Sequence, residues 1–488
     1  MAYRVLAWFL RTITRVFFRQ IEVVGLEHVP VEGPVLFAGN HPNSLIDPIL
    51  IITTCGRKVH FAAKDTLFKG RLMRALLSGL GAVPIKRRHD RDGGDDRGDP
   101  APGDGAPVDN DAAFAAMFGV LGDGGAIGIF PEGLSHDEAH LSRLKTGAAR
   151  LALGAAQRTH REITIVPCGL TFIHPKRFRS RVLVQYGPPL TITDAVENTP
   201  DQVRIVTTEI GDGLRRLTVN APDWDTVRAL DVVRRLYQPQ EISIEERVEL
   251  ARRFNSYYSA VAADPRVVEL MGRVRRYQDR LDELGLTDRE LARDLSKREV
   301  GARIVRHLAL IAFWLPLTLP AAPLNITPLL FARFASDRLT PRKDVVATTK
   351  LLIGFLLLLL GYVVALVVIA WKLGLWTALA AGILQPLSGW ATLRVLDRLR
   401  LVRRGFGVLF RRLAFRREVR GLRLERAQLV ERVIATVGAV KPAELDALFP
   451  ADHPDRIEES ARARQDADLD AELDKRDVPE TPETPETP

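Results

Sequence analysis

The spacing of apolar positions changes character several times along this chain of 488 residues. In the first 20 residues, Val5, Trp8, Phe9, Ile13, Val16 and Phe17 share one broad helical face, with Arg4, Arg11, Arg15 and Arg19 around it. This predicts an amphipathic helix over 1–20 lying in the interface of an anionic leaflet. Packing of the same face on a protein core is the alternative. The arginines exclude a spanning helix, and no signal-peptide cleavage site is seen. From 21 to 215, short apolar runs alternate with helical patterns. Strands are predicted at 34–38, 59–64, 81–88, 125–130, 163–167 and 182–186. Helices are predicted at 48–54, 71–80, 111–121 and about 145–157. Alternation of this kind indicates an α/β domain, a largely parallel sheet flanked by helices. Residues 90–111 break the pattern with eight Asp, five Gly and three Pro. They offer almost nothing to bury and read as a disordered insertion.

Beyond the α/β domain, residues 216–305 are helical and charged. Ser243 with Glu246 and Thr287 with Glu290 are capping boxes. Asp264 followed by Pro265 starts a helix that Gly285 ends. A membrane region is expected over 306–395. Its first part, 308–332, has 25 uncharged residues but holds Pro316, Pro320, Pro323 and Pro328. The prolines predict a re-entrant or interfacial segment. Residues 351–371 lack both charge and proline, and 375–393 form a second apolar stretch. Each is long enough to span a bilayer. A basic helical region is expected over 396–460, then a disordered acidic tail over 461–488.

Charge sharpens this picture. The net charge is +9 and the pI about 9.7. The arginines flank apolar segments, which favours an anionic membrane surface over nucleic acid. No nucleic-acid-binding motif is present. Lysine and arginine placement predicts a multi-pass protein of the cell membrane, with the α/β domain on the cytoplasmic face. Cys55 and Cys168 read as buried thiols in a reducing compartment.

The stretch Asn40-His41-Pro42-Asn43-Ser44-Leu45-Ile46-Asp47 carries the candidate chemistry. Its histidine and aspartate are six positions apart across a strand-to-helix turn. A carboxylate there can fix the ring tautomer, leaving the other nitrogen to take a proton from a hydroxyl. A loop histidine beside a helix cap is the plain alternative. Three further stretches lie at or near strand ends: Gly81 through Arg87, Phe130-Pro131-Glu132-Gly133-Leu134-Ser135, and Ile165-Val166-Pro167.

Together and in this order, the four stretches resemble the glycerolipid acyltransferase superfamily of lysophosphatidate and glycerol-3-phosphate acyltransferases. The resemblance covers about residues 20–215. Five residues between His41 and Asp47, with Asn43 between them, resemble the glycerol-3-phosphate/dihydroxyacetone-phosphate branch. The resemblance implies acyl transfer from a thioester to a glycerol-phosphate hydroxyl, in the synthesis of phosphatidic acid. His41 would be the general base and Asp47 its orienting partner. The implied acceptor contacts are Asn43, Ser44, Lys64, Gly81, Arg87, Glu132, Gly133, Leu134, Ser135 and Lys145. Arg87 would meet the phosphate. Glu132 would orient Arg87 or a glycerol hydroxyl, and Ser135 would either donate to the acceptor or cap the next helix. Leu134 and Ser135 stand where this superfamily usually has Thr-Arg, so that arginine's contact must come from elsewhere, with Lys145 and Lys64 as candidates. No metal and no cofactor is implied; the donor is a substrate, acyl-CoA or acyl carrier protein. The expected partners are the bilayer, the acceptor and the donor, and not nucleic acid. A lysophosphatidate acyltransferase is the nearest alternative; an inactive membrane scaffold and a lipid transporter are the others.

Overall fold

A computed structural model describes residues 2–85, 110–237, 244–292, 297–340 and 342–440. The chain divides into two compact units, Met1–Leu429 and Val430–Pro488, and the first carries the sheet and the candidate site. Arg87, most of the 90–111 insertion and the 461–488 tail lie outside the described residues.

Eight strands form one sheet: β1 (Gln20–Val24), β2 (Val35–Gly39), β3 (Val59–Lys64), β4 (Val83–Ile85), β5 (Ala126–Ile129), β6 (Ile163–Phe172), β7 (Arg181–Tyr186) and β8 (Leu190–Ile192). Their order is β1-β7-β6-β2-β5-β3-β4, with β8 also paired to β6. All pairs are parallel except β6 with β7 and with β8. β2 lies at the centre and is buried along its whole length. Such a strand has no solvent face, which is why its sequence is an unbroken apolar run. β6 runs five residues past its expected end at Pro167. Its partner on one side changes there, from β8 along Ile163–Ile165 to β7 from Cys168 onward.

One sheet face is covered by α1 (Ala2–Phe17) and α2 (Ile46–Thr54). The other is covered by α4 (Asp111–Gly122), α5 (Gly147–Thr159) and α6 (Pro200–Leu217), with α3 (Arg71–Gly79) between β3 and β4. Thr199 caps α6 by accepting from the Gln202 amide. Helix α1 uses both of its faces. Leu10 and Phe17 are buried in the core, while Val5 and Trp8 stay exposed. Arg11 is anchored to the Thr53 carbonyl of α2 at 3.1 Å.

A helical layer follows: α7 (Trp224–Tyr237), α8 (Ile244–Val261), α9 (Pro265–Glu283) and α10 (Asp288–Ala292). Asp264 caps α9, Pro265 is its first residue, and Gly285 follows it at φ +61°. Helix α8 packs beside β1, with Val248 against Val24 and Leu183, which shields the sheet edge.

The apolar region forms α11 (Lys297–Thr318), α12 (Ala322–Leu339), α13 (Val346–Leu373) and α14 (Leu375–Ala414), followed by α15 (Arg416–Val440). Helix α11 runs antiparallel to α14, with Ile304 beside Gly405 and Trp314 against Trp390. Helix α12 runs antiparallel to α13, with Leu324 beside Gly361 and Ala332 beside Gly354. As α13 and α14 are themselves a hairpin turned at Gly374, the chain must turn back between α11 and α12. The turn is the 3-10 segment Leu319–Ala321, centred on Pro320. Inside the helices, Asn325 donates to Ser388 and Thr392 and accepts from Tyr362, so a buried amide is satisfied across three helices. Helix α14 continues without a break through 395–396, where the sequence pattern suggested a boundary.

Arg298–Ser336 and Val346–Leu373 are long and apolar enough to cross a membrane. In α13 only the first turns are buried. Beyond them Leu356, Val363, Val367 and Trp371 are exposed, as are Trp376, Leu379 and Ile383 of α14. An exposed apolar surface of this extent marks an interaction face rather than a solvent face.

Candidate active site

Strand β2 delivers residues 40–47 to the carboxyl edge of the parallel strands, where open α/β sheets place their sites. Asn40 is pinned there: its amide donates to the Leu170 carbonyl at 3.1 Å and accepts from the Leu170 N–H at 2.7 Å. Ser44 then adopts φ +50°, a left-handed conformation rarely taken by residues other than glycine. That single reversal lets α2 begin at Ile46 with Asp47 in its first turn, facing back toward His41.

His41 Nδ1 and Asp47 Oδ2 lie 2.8 Å apart. The same oxygen accepts from the Asn43 N–H at 2.7 Å. An ionised carboxylate only accepts, so His41 carries its proton on Nδ1 and presents a lone pair at Nε2. Among the described residues, nothing is hydrogen-bonded to Nε2. The Asp47 side chain is completely buried and that of His41 is 12% exposed. Burial pushes the Asp47 carboxyl up, and the hydrogen bonds from His41 and Asn43 act against it. The imidazole stacks on Phe130, with ring centroids 4.1 Å apart and planes 9° apart. Phe130 in turn stacks on Phe61 at 5.6 Å. A side chain at Gly39 would put its Cβ 3.0 Å from the Phe130 ring. Glycine there lets the ring that supports His41 sit against the strand.

The Phe130–Ser135 stretch clamps this loop. The Glu132 carboxylate is buried and accepts from the His41 N–H at 2.8 Å and the Ser142 N–H at 2.8 Å. Its second oxygen is also paired with His136 Nε2. The His136 N–H returns to the His41 carbonyl at 3.2 Å. Burial lowers the His136 pKa, but the hydrogen bond and charge of Glu132, with Glu138 and Asp344, outweigh it and hold the imidazole above its usual value. Gly133 has φ +79°, and a Cβ there would fall within 2.8 Å of the end of Lys145. Lys145 therefore lies across the turn, and its N–H bonds the Pro131 carbonyl at 2.7 Å.

The residues flagged in the sequence are thus divided. His41, Asp47, Glu132, Gly133, Ser135 and Lys145 are gathered in one cluster. Among the described residues, the Glu132 oxygens are given to His41, His136 and Ser142, while Arg87 lies outside the described residues. Asn43 is buried and donates its amide to the Pro175 carbonyl at 3.2 Å, so it shapes the loop from behind. Ser44 contributes its backbone conformation, and Leu134, half-buried, follows Gly133 in the turn. Gly81 forms the α3–β4 turn at φ +73°, under the His60 ring. Lys64 ends β3, its backbone in register with Ile85.

Ser135 does not cap the next helix. Its hydroxyl donates to Asp344 Oδ2 at 2.5 Å, and both residues are buried. Arg342 donates to the Ser135 carbonyl at 2.9 Å and to Asp344 at 2.9 Å. The Thr348 hydroxyl approaches the Asn43 carbonyl at 3.5 Å. The base of α13 is therefore built into the candidate site, which no part of the sequence reading anticipated. Behind the Asn43–Pro175 contact lies a cavity of about 1690 Å³ between α1, α12, α13 and α14. Its apolar wall includes Phe9, Phe178, Phe355 and Trp390, and its rim includes Lys176, Lys343 and Lys350. Cys55 and Cys168 are buried thiols. Burial pushes the Cys55 thiol up to about 11 and raises Cys168 well above the usual thiol value, so neither is poised as a nucleophile.

A buried carboxylate thus orients a histidine at the carboxyl edge of the parallel strands, an arrangement equipped to take a proton from a hydroxyl. Comparison with known proteins finds acyltransferases among those the chain is similar to. Residues 20–171 match the family model described as Acyltransferase, and 229–445 the model described as Glycerol-3-phosphate acyltransferase 2 C-terminal domain. Glycerol-3-phosphate O-acyltransferase 2 of Saccharomyces cerevisiae is 32% identical over 54% of this chain and 39% of its own length. Glycerol-3-phosphate O-acyltransferase 1 of the same yeast is 27% identical over 72% of this chain and 59% of its own length. The chain thus spans about half the length of these relatives. A crystal structure of the 1-acyl-sn-glycerophosphate (LPA) acyltransferase of Thermotoga maritima aligns with a TM-score of 0.31 and 18% identity, over 44% of this chain and 79% of that one. The chain thus resembles the glycerol-phosphate acyltransferase branch of the glycerolipid acyltransferases, in both its α/β part and its helical part.

Proposed function

We propose that this protein is a membrane-bound O-acyltransferase that transfers a fatty acyl group from a thioester to glycerol-3-phosphate or dihydroxyacetone phosphate. The His41–Asp47 contact at 2.8 Å is the observation that carries this reading. His41 Nε2 takes the proton of the acceptor hydroxyl as its oxygen attacks the thioester carbonyl carbon. Asp47 stabilises the imidazolium that forms. The carbon–sulfur bond breaks, the proton passes from His41 to the leaving thiolate, and an ester and a free thiol result. General-base help of this kind contributes about 10²–10⁴-fold. Both substrates react directly, so no acyl-enzyme is required. The cavity beside the site gives an acyl chain room between the α/β domain and the membrane helices. Helices α13 and α14 span the bilayer as a hairpin, α11 and α12 enter and return, and the α/β domain faces the cytoplasm.

The test is the purified full chain in lipid vesicles, given acyl-CoA with glycerol-3-phosphate, dihydroxyacetone phosphate or lysophosphatidate, with products resolved by mass. Monoacylated glycerol-phosphate product supports the reading. Product from lysophosphatidate alone replaces it with the later acylation step.

A further inference from the structure

We infer that the cavity between α1, α12, α13 and α14 holds an anionic phospholipid, its two chains along the apolar wall and its phosphate at the basic rim. This rests on the bilayer placement proposed above for α13 and α14, and it goes beyond the acyl-transfer reaction.

Size and access come first. At about 1690 Å³ the cavity exceeds the range of about 300–1,000 Å³ usual for small-molecule pockets. A donor's acyl chain is a ligand of that ordinary size, so there is room for a second chain. The wall is aromatic and aliphatic, with Phe9 of α1 packed edge-on to Phe355 of α13 at 5.0 Å. Leu330, Leu359 and Trp390 line the cavity and are also exposed on the outside of α12, α13 and α14. The cavity thus opens sideways through the apolar face of these helices. An occupant can enter from among lipid chains without crossing water. Neither His41 nor Asp47 is among the residues that line it.

Charge then selects the headgroup. At one level of the cavity, the Tyr362 hydroxyl of α13 meets Asn325 of α12 at 2.7 Å and the Gln385 carbonyl of α14 at 2.9 Å, with Gly389 beside it. From there Arg333 is 8 residues on from Asn325, Lys350 is 12 back from Tyr362, and Arg400 is 11 on from Gly389. Both α12 and α14 run antiparallel to α13, so the helical rise puts all three cations about 12–18 Å toward the same end. Lys343 of the α12–α13 linker and Arg177 of the β6–β7 loop also line the cavity. Part of this charge is committed: Lys176 pairs with Asp137 at 2.7 Å, and Arg400 lies 3.6 Å from Asp397. Asp137 is the one carboxylate of the lining among the described residues. Arg177, Arg333 and Lys343 are exposed and form no ion pair among the described residues. Burial lowers the Arg400 pKa; Asp397 opposes this, and the charges of Arg177, Arg179 and Arg19 add to it. Such a rim beside apolar helices attracts an anionic headgroup. A zwitterionic headgroup brings its own cation to the same place and gains less. The bound lipid packs against loop 173–180, whose Pro175 carbonyl receives the Asn43 amide behind His41.

The experiment is photo-crosslinking of the full chain in phosphatidylcholine vesicles with phosphatidylglycerol as the minor lipid. The probe p-benzoylphenylalanine replaces Phe355 inside the cavity or Val363 on the outer face of α13. Adducts at position 355 should be enriched in phosphatidylglycerol at least about fivefold over the vesicle, while those at position 363 follow its composition. Replacing Arg177 and Arg333 together by Ala should remove the enrichment. Adducts at 355 that match the vesicle, or an enrichment that survives the double replacement, overturn the inference. So does added palmitoyl-CoA taking over the adducts at 355 entirely, which assigns the cavity to the donor alone. To guard against the probe disturbing the contact with Phe9, the unmodified chain in detergent is weighed by native mass spectrometry with each lipid. Preferential retention of phosphatidylglycerol supports the site, and equal retention of both lipids overturns it. Lipid adducts at 363 with none at 355 sink the bound lipid alone, whereas no lipid adduct at 363 overturns the bilayer placement itself.

Discussion

Replacing Asp47 by Asn keeps the size of the side chain and removes its charge. In the structure one oxygen, Oδ2, accepts from both His41 Nδ1 and the Asn43 N–H. Oδ1 is buried without a hydrogen-bond partner. An asparagine oxygen in the place of Oδ2 keeps both bonds but no longer stabilises an imidazolium. The flipped amide points a donor at Nδ1, which forces the proton onto Nε2 and disables the base. Hydrogen bonds to charged groups contribute about 1.5–3 kcal/mol. At about 1.4 kcal/mol per tenfold, the loss is about 10–150-fold. The imidazolium exists only as the reaction proceeds, so the loss falls on kcat with little change in either KM. Stability should move the other way. Burial raises the folded pKa of Asp47 above its unfolded value, so ionisation opposes folding at neutral pH and the amide removes that cost. The assay is thiol release at saturating substrates, with thermal unfolding measured on the same preparations. Activity within about threefold of wild type refutes the orienting role. So does an activity loss that tracks a large fall in Tm.

Two further outcomes follow. His136 has a raised pKa beside Glu132, so its stabilising charge is fully present below the ordinary value of 6.5 and is lost as pH rises through the raised one. The Tm deficit of His136→Gln relative to wild type should therefore be largest below pH 6.5 and shrink at higher pH; a pH-independent deficit contradicts the ion pair. If α13 and α14 are a spanning hairpin, a thiol at Thr340→Cys should be labelled only from the cytoplasmic side and one at Leu373→Cys only from outside. Labelling of position 340 from outside rules out this topology.

What the sequence disclosed depends on how local each feature is. His41 and Asp47 lie within one turn, so their pairing needed only a strand, a reversal and a helix start. The caps at Asp264 and Gly285 were legible for the same reason. Strands β1 and β8 were missed because they are short edge elements with little burial to mark them. β6 was cut short because Pro167 reads as a strand end, whereas it sits where one partner strand is exchanged for another. His136 carried a weak signal, four positions after Glu132, but nothing showed that both would bind the backbone of His41 from 91 residues away in the case of Glu132. Arg342 and Asp344 were out of reach. They belong to a charged linker between apolar helices, and only folding brings them to Ser135.

The most direct test of the account is acyl transfer by His41→Ala. The full chain is purified in vesicles, and acylated glycerol-3-phosphate is counted by mass against wild type. Phe130 and Glu132 remain to hold the loop, so the variant should fold with an unchanged circular dichroism spectrum. Its turnover should fall by about 10²–10⁴-fold. A folded variant that keeps more than about a tenth of wild-type turnover contradicts the assignment of His41 as the base.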